Sequence, residues 1–532
     1  MHSLPPGLRS LPRRQVIFTL AGVMLAMFLS SLDQTVVGTA MPRIIADLGG
    51  FSRYTWVATA YMVTSTVVLP ITGKLTDMFG RKYFYLAGLG IFMLGSAFCG
   101  LSQTMTQIIF ARGFQGIGAG MMMANAFTIV ADLFPPAERG KYQGFMSAVF
   151  GVSSVVGPTL GGYITDALSW HWIFYINLPL GLVIITLFAL FFPNFRPDGA
   201  GHRVDYVGVT LLVVTVIPLL LALSWGGIEY AWTSTPVLTA LAVAFAGALG
   251  FFFVERRAPE PIVPMGIFRN SIVSLTFAII FLNGIAMFAG IFFIPLFFQG
   301  VMGLSATSSG SFLTPMMLGM VTAGAVSGQI LSRRGGHYRR QGMVGLGLMV
   351  IGTFLLSRMG PETGYAVAVA NIVISGIGLG ITMPIYVIAI QNAVPYKVLG
   401  AATSLVAFSR SIGGTLGVAV CGSVMNNRLV SEFFGRLPET VRPLIPPDFL
   451  TSVSRSAQAL VSPEAQEQLK TAFGQLGAQG PVLYEQTIQL LRQSLGSALS
   501  WAFLLGCVIT FIALIINFFL KEIPLRKQYA RE

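Results

Sequence analysis

Long apolar runs alternate with short polar connections along most of the chain. Each run is about 18 to 27 residues long, which is enough for an α-helix to cross ~30 Å of hydrocarbon. The fourteen runs cover residues 16–40, 55–73, 83–102, 106–131, 143–165, 172–193, 206–225, 236–255, 271–298, 308–331, 342–359, 364–390, 400–426 and 495–520. This pattern predicts an all-α integral membrane protein with fourteen transmembrane helices.

The composition supports a membrane protein and excludes several other classes. Of the 532 residues, 54% are hydrophobic and only 10% are charged, which is incompatible with a set of soluble domains. Sixty glycines, 28 prolines and 41 phenylalanines fit a bundle of closely packed helices rather than a collagen-like or disordered chain. Cys99, Cys421 and Cys507 all lie in apolar runs, so we expect neither a disulfide framework nor a metal site.

The basic residues are distributed unevenly between the two sides of the membrane. The formal net charge is +13, from 33 basic and 20 acidic residues. If the amino terminus is cytoplasmic, 22 of the 33 basic residues lie on the cytoplasmic side and nine lie outside, while Arg112 and Arg410 lie within runs. The positive-inside rule therefore predicts that both termini are cytoplasmic. The charge reports topology, and we expect no nucleic-acid partner.

One connection is much longer than the others. It extends over residues 427–491 and separates the last two runs on the outer side. Within it, Ser462, Pro463 and Glu464 form a helix start signal, with an N-cap, a proline at the first helical position and an acid in the first turn. We expect a small extracytoplasmic helical cap, and a platform for a substrate or partner is the alternative.

A short basic turn with glycines near both ends follows the second run. Its sequence is Gly73-Lys74-Leu75-Thr76-Asp77-Met78-Phe79-Gly80-Arg81-Lys82. The turn resembles Gly-x-Leu-x-Asp-x-x-Gly-Arg-Lys, the cytoplasmic signature of the major facilitator superfamily. The resemblance implies a conformational switch formed by Gly73, Asp77, Gly80 and Arg81. Its glycines let two helices meet, while its acid caps a helix start and pairs with a base in one conformation only.

A degenerate copy of this turn follows the tenth run. It extends from Gly328 through Arg333 to Gly336 and Arg339, and it lacks the acid. An internal repeat of this kind is typical of transporters that are built from two related halves.

Five further stretches narrow the resemblance to one branch of the superfamily. They are residues 32–37 in run one, 112–118 in run four, 157–162 in run five, 170–179 at run six and 408–417 in run thirteen. These stretches look like motifs of the fourteen-span drug:proton antiporters. The resemblance implies two six-helix halves, 16–193 and 271–520, with two inserted helices at 206–255. It also implies multidrug efflux across a bacterial cytoplasmic membrane, with Gly157 and Pro158 as part of the conformational switch.

A proton-coupled transporter needs a group inside the membrane that can take up a proton. Of the twenty acidic residues, only Asp33 lies well inside a run, because Asp132 and Glu255 lie at run ends. A carboxylate in hydrocarbon costs roughly 2.5 to 3.5 kcal/mol on insertion scales, so it normally marks a pathway or has a partner. Asp33 is therefore the predicted proton carrier. A purely structural carboxylate, bound to hydroxyls such as that of Thr35, is the alternative.

Arg112 is the predicted partner of Asp33. Asp33 precedes the outer end of run one by about seven residues and Arg112 follows the outer start of run four by about six, so both lie ~10 Å below the outer boundary. Equal depth makes an ion pair possible. Because burial favours a neutral acid and a guanidinium favours the ionised form, movement of the two groups can load or release a proton.

A cavity for amphipathic or cationic organic molecules should be rich in aromatic and methionine side chains, with a few polar groups that fix orientation. The predicted cavity residues are Gln34, Tyr61, Gln115, Met121, Met122, Met123, Asn283, Phe288, Gln299, Met316, Met317 and Arg410. Arg410 lies near the middle of run thirteen, where it can neutralise an anionic substrate or bind backbone carbonyls. A structural role for Arg410 is equally compatible with the sequence.

Other classes of function fit the sequence less well. A primary pump is excluded because the chain has no phosphate-binding loop. One buried acid without a buried histidine provides neither a metal site nor a catalytic triad, so we expect no enzyme activity. We expect a monomer surrounded by membrane lipid, with the proton gradient in place of any cofactor. An exporter of lipid or lipid-like molecules on the same fold is the open alternative.

Overall fold

The computed structural model describes residues 11–49, 53, 55–192, 204–227, 229–304, 306–333, 335–436, 467, 470–471, 473–474 and 480–526. Within these ranges the chain is almost entirely helical, and its extended structure is limited to an isolated bridge between Gly226 and Tyr230.

Fourteen long helices, numbered in chain order, account for the described part of the chain. The first eight are α1 Arg13–Leu48, α2 Thr55–Phe79, α3 Arg81–Gly100, α4 Met105–Leu133, α5 Pro136–Ala167, α6 Trp172–Phe191, α7 Tyr206–Trp225 and α8 Thr235–Glu255. The others are α9 Ser271–Leu296, α10 Ala306–Arg333, α11 Tyr338–Ser357, α12 Tyr365–Ala393, α13 Leu399–Arg436 and α14 Gly480–Phe518. Each predicted run coincides with one helix, so the predicted all-α membrane fold is confirmed.

On the residues described, thirteen of these helices are long and apolar enough to cross a membrane. The remaining long helix, α10, has 28 residues and is not one of the thirteen. Two helices contain irregular turns. In α6, Ile176 separates Trp172–Tyr175 from Asn177–Phe191, and a π-helical turn, Phe297–Val301, continues α9.

Polar caps explain where several helices begin. Thr104 accepts a hydrogen bond from the backbone N–H of Gln107 at the start of α4, and Asp205 accepts one from Gly208 at the start of α7. Asn270 does the same for Ile272 in α9. Each cap satisfies a backbone donor that the first turn of a helix leaves unpaired.

The long connection predicted at 427–491 is shorter than expected, because helices extend into both of its ends. The helix α13 continues to Arg436, and α14 begins at Gly480. Buried Phe433 and Leu491 pack these extensions against the bundle, although the extensions are too polar to register as apolar runs. The helix start predicted at Ser462 lies outside the described residues.

The helices pack within two groups, a first group α1–α6 and a second group α9–α14, and the two groups also contact each other. Within the groups, α1 contacts α5, α2 and α3 contact α4, α9 contacts α13, and α11 and α10 contact α12. Across the groups, α2 contacts α13 and α5 contacts α10. The second and fifth helices of one group of six therefore meet the fifth and second of the other, as expected for two repeated halves. The α7–α8 hairpin packs alongside, against α2 and α13.

The two groups are in closest contact at the end of the bundle that carries the turn at Gly80, here called the basic end. The backbones of α5 and α10 meet there at Gly140 and Gly328, where an added Cβ on either residue would collide with the other helix. Gln391 of α12 accepts hydrogen bonds from Arg139 at 3.1 Å and from Gln143 at 3.2 Å. The basic end is therefore closed.

Contact between the groups loosens beyond mid-depth. Thr66 of α2 and Ser411 of α13 share a hydrogen bond of 2.7 Å. Residues 399–406 of α13 are all buried, whereas residues 407–412 are all half-buried, and α2 becomes more exposed over the same depth. We call the space between α2 and α13 on the side of this bond away from the basic end the cleft.

Candidate functional site

Asp33 lies within the longest described helix of the first group, with its side chain completely buried. The apolar neighbours Leu32, Val36 and Val37 are also buried, so α1 is embedded in the bundle at this level. A carboxylate in such a position requires polar partners from other helices.

Three side chains supply those partners. Arg112 of α4 donates to Oδ2 of Asp33 at 2.5 Å, and Gln115, one turn along α4, donates to Oδ1 at 2.9 Å. Asn177 of α6 donates to the same Oδ1 at 2.9 Å. Ser96 of α3 accepts from the amides of both Gln115 and Asn177, at 2.6 and 2.9 Å. We call Asp33, Ser96, Arg112, Gln115 and Asn177 the Asp33 centre.

The guanidinium of Arg112 has several partners besides the carboxylate of Asp33. It donates to Oε1 of Gln115 at 2.6 Å and, from Nε, to the carbonyl of Val57 at 3.4 Å. Its carbon atom lies 4.1 Å from the centre of the Tyr61 ring, a cation–π contact. Tyr61 is itself held by a 3.2 Å hydrogen bond to Ser30. The positive charge is therefore compensated on several sides.

The alternative of a carboxylate held by hydroxyls such as Thr35 does not match this geometry. The hydroxyl of Thr35 donates to the carbonyl of Leu32 at 2.9 Å and to that of Ser153 at 3.3 Å. Gly157 of α5 packs against the same threonine, leaving no room for a Cβ, while Pro158 is half-buried next to it. Thr35 thus joins α1 to α5 rather than holding Asp33.

At the basic end, Asp77 of α2 caps the start of α13. Its two carboxylate oxygens accept hydrogen bonds from the backbone N–H groups of Gly400 at 3.0 Å and Ala401 at 2.7 Å. Arg81 donates to the same carboxylate at 3.0 Å. An acid at a helix start also interacts favourably with the helix dipole. One side chain of the first group thereby holds the first turn of a helix in the second group.

Arg81 connects this cap to a second acid. Its Nε donates to Asp132 at the end of α4, and Asp132 also accepts from the hydroxyl of Tyr396 at 3.2 Å. We call Asp77, Arg81, Asp132 and Tyr396 the latch. The sequence predicted Asp77 and Arg81 but missed the roles of Asp132 and Tyr396. The shared depth of Arg81 and Asp132, at the start of α3 and the end of α4, could have linked them.

The glycines of the predicted switch are required by this geometry. Gly80 has a φ of +92°, which favours glycine, and it allows α3 to begin immediately after α2. Gly73 lies against α13, where an added Cβ would be 2.9 Å from the carbonyl oxygen of Gly400. Next to it, Lys74 forms a 2.5 Å ion pair with Glu260 in the connection between α8 and α9.

The predicted cavity residues fall into two sets. Gln34 is exposed, and Met121, Met123, Phe288, Gln299 and Arg410 are half-buried. The buried set contains Tyr61, Gln115, Met122, Asn283, Met316 and Met317. The prediction for Gln115 differs from the structure, because this amide belongs to the Asp33 centre rather than to an open surface. Asn283 donates to Thr382 at 3.0 Å, which fixes its amide inside the second group.

Sequence reasoning missed Asn177 and Ser96 as partners of Asp33. Both are small polar residues within or at the start of an apolar helix, a signal that many structural serines and asparagines share. Among the described residues, no cluster of histidine, cysteine and acidic side chains is suited to hold a metal ion.

Comparisons with known proteins place this geometry in context. Residues 23–418 match the profile of the Major Facilitator Superfamily. Multidrug transporter protein MdtP of Bacillus subtilis (strain 168) is 39% identical over 530 residues, which span 98% of this chain and 95% of that protein. Multidrug resistance protein 3 of the same organism is 41% identical over 413 residues, or 77% of this chain and 80% of that protein.

The fold is also similar to a solved structure, that of the human organic anion transporter MFSD10 (TETRAN). The TM-score is 0.57, and the match covers 94% of this chain and 99% of the human protein. The sequence identity is 15%, so this likeness concerns the fold alone.

Proposed function

The chain belongs to the major facilitator superfamily, and we propose that it exports hydrophobic or cationic organic molecules in exchange for protons, with Asp33 as the proton carrier. It is a multi-pass membrane transporter of the multidrug efflux type and not an enzyme. The observation that carries the proton-coupling proposal is the buried 2.5 Å ion pair between Asp33 of α1 and Arg112 of α4.

The ion pair gives protonation a structural consequence. With Asp33 ionised, its two oxygens hold α4 and α6 against α1 through Arg112, Gln115 and Asn177. A proton on the carboxylate removes the charge that attracts Arg112 and occupies one acceptor site, so these helices are held less tightly. We propose that proton entry from outside loosens the Asp33 centre and that substrate binding from the cytoplasm expels the proton.

The latch supplies the second state of the cycle. The basic end cannot open while Asp77 holds the first turn of α13, because α2 and α13 then remain joined. We propose that these two hydrogen bonds break when the cleft opens toward the cytoplasm and form again when it closes. Asp77 therefore acts on the equilibrium between states rather than on substrate affinity within one state.

The proposal is tested with Asp33→Asn in liposomes. The variant should fail to concentrate ethidium against a gradient when a pH difference is imposed, and should release no protons on ethidium binding in lightly buffered detergent. Asp166→Asn changes an exposed acid of α5 in the same way and should transport normally. Asp33→Glu retains an acid and should recover part of the proton release. Continued uptake and proton release by Asp33→Asn would assign coupling to another group.

We also propose that the basic end faces the bacterial cytoplasm, with both termini inside. Single cysteines placed at Ser3 and Gln528 in a cysteine-free background should react with an impermeant maleimide only after the membrane is opened. A cysteine at Gln475 should react in intact cells. The reverse labelling pattern would invert the orientation.

A further inference from the structure

Arg410 is a charged residue in an otherwise weakly polar part of α13. It follows the start of the helix by eleven residues, or about 16 Å along its axis, which places it near the middle of the membrane. The α13 backbone at Arg410 touches α9, since an added Cβ on Gly284 would lie 3.2 Å from the Arg410 Cα atom. The neighbouring Ser411 bonds to Thr66 of α2, so this turn of α13 lies beside both α9 and α2.

The guanidinium of Arg410 has no partner in the described part of the protein. No hydrogen bond, ion pair or aromatic ring contact involves it, and no acidic side chain there exerts an electrostatic effect on it. Its surroundings are apolar or weakly polar: Phe288 packs its ring against Gly414, one turn away, and Phe281 packs its backbone against Gly413. The described part of the chain thus supplies no anion for this cation.

The partial exposure of Arg410 indicates where its charge is directed. A guanidinium exposed to lipid at mid-depth is strongly unfavourable, so charged residues at this level normally face an aqueous cavity or the bundle interior. Residues 407–412 are all half-buried, unlike the buried residues 399–406 nearer the basic end, and they border the cleft. A half-buried arginine with no partner among the described residues is accommodated at this level if it faces the cleft.

We propose that Arg410 is an anion subsite of the substrate cleft. It would bind the carboxylate, sulfonate or phosphate group of an amphipathic molecule whose apolar body lies against half-buried Phe288. This inference rests on the proposed export function and extends its substrate class to organic acids and zwitterions. The Asp33 carboxylate cannot attract cations in the present state because its side chain is fully buried. The accessible charge at this level of α13 is positive.

The test uses two fluorescent probes that share one ring system. Anilinonaphthalene sulfonate carries an anionic group, and N-phenyl-1-naphthylamine is its uncharged counterpart. Binding of both is measured in nanodiscs of phosphatidylcholine for the wild type, Arg410→Gln and Arg410→Lys. Arg428→Gln, which removes an exposed arginine from the outer part of the same helix, is the matched control.

Arg410→Gln should lower the affinity for the sulfonate by about tenfold or more, because hydrogen bonds to charged groups are strong, and should leave the neutral probe within about twofold. Arg410→Lys should retain part of the preference, and Arg428→Gln all of it. If Arg410→Gln binds each of the two probes with the same affinity as the wild type does, the subsite is overturned. If Arg410→Gln is unstable, a sulfonate preference in Arg410→Lys that equals that of the wild type and Arg428→Gln would overturn the subsite.

Two sources of the anion are separated by adding phosphatidylglycerol to the nanodiscs. Competition with the sulfonate that depends on Arg410 would identify a lipid phosphate as a ligand, and an Arg410-dependent sulfonate preference that the lipid leaves unchanged would restrict the subsite to small organic anions. Both results support the subsite. The proton-release assay of Asp33→Asn is independent of these probes, so failure of the anion subsite and failure of proton coupling are distinguishable.

Discussion

Arg112 and Arg410 both lie within membrane-spanning helices, with Arg112 farther from the basic end than Arg410, and their environments are opposite. Arg112 is 2% exposed, pairs with Asp33 at 2.5 Å and lies over the ring of Tyr61. Arg410 is half-buried and has no partner among the described residues. The first group of helices therefore neutralises its charge internally, whereas the second group leaves its charge open to the cleft.

This difference separates two uses of a charge in a membrane. A completely paired charge holds helices together and changes its effect only when one partner gains a proton or moves away. An unpaired charge contributes little to holding the fold and is available to a ligand. We infer that the first group of helices carries coupling and the second carries part of substrate recognition.

The largest expected contrast is in stability. Arg112→Met should destabilise the protein by about 3 to 5 kcal/mol, because it leaves the carboxylate of Asp33 buried and unpaired. Arg410→Met should change stability by less than about 1 kcal/mol, because no partner is orphaned. Thermal unfolding in one detergent, followed by tryptophan fluorescence, measures both. A similar loss for the two variants would show that Arg410 has a structural partner in the folded protein.

A double variant separates charge from shape at the Asp33 centre. Adding Asp33→Asn to Arg112→Met removes the orphaned charge and should restore much of the lost stability, without restoring proton-driven export. Simple additivity of the two losses would argue against a direct interaction.

The next largest effect on stability is expected at two buried amide side chains, one in each group. Asn177→Leu removes one of the donors to Asp33 and should cost about 1 to 3 kcal/mol, as expected for a hydrogen bond to a charged acceptor. Asn283→Leu in the second group removes a neutral bond to Thr382 and should cost about 1 kcal/mol or less. The same thermal unfolding measurement applies, and an equal cost for both would weaken the contrast between the two groups.

The latch should show a smaller effect on stability and a clear one on transport. Asp77→Asn weakens the cap of α13 by about 0.5 to 2 kcal/mol, because an amide nitrogen cannot accept the second backbone hydrogen bond. Ethidium uptake should fall by about fivefold or more, while equilibrium binding stays close to that of the wild type. Asp166→Asn serves again as the control. Unchanged uptake by Asp77→Asn would eliminate the switch role.

The smallest effect is expected at mid-depth, where the two groups part. Thr66→Val removes the bond to Ser411 and should cost about 1 kcal/mol. Thr64→Val makes the same chemical change in the same helix. The Thr64 hydroxyl bonds only to carbonyls of α2 itself, so this variant should cost less stability than Thr66→Val. Neither variant should alter the sulfonate preference of Arg410. A loss of that preference in Thr66→Val would show that the hydrogen bond positions the subsite.

The sequence alone determined the number, order and approximate bounds of the helices, because the hydrophobicity of a segment of about twenty residues decides whether that segment can span the membrane. It also placed Asp33 and Arg112 at one depth, since depth follows from counting residues along a helix. The residues Gly73, Asp77, Gly80 and Arg81 of the switch were likewise visible as a continuous motif.

Only the tertiary structure decided which side chains meet. The contacts of Asp33 with Asn177, of Asp132 with Tyr396 and of Thr66 with Ser411 join positions 144, 264 and 345 residues apart. Such contacts depend on the rotation and tilt of each helix, which are set by packing against several neighbours at once and leave no periodic trace in the chain. The burial of Gln115 and the position of Arg410 could not be predicted for the same reason. A polar residue in an apolar helix has the same local sequence whether it faces a partner or a cleft.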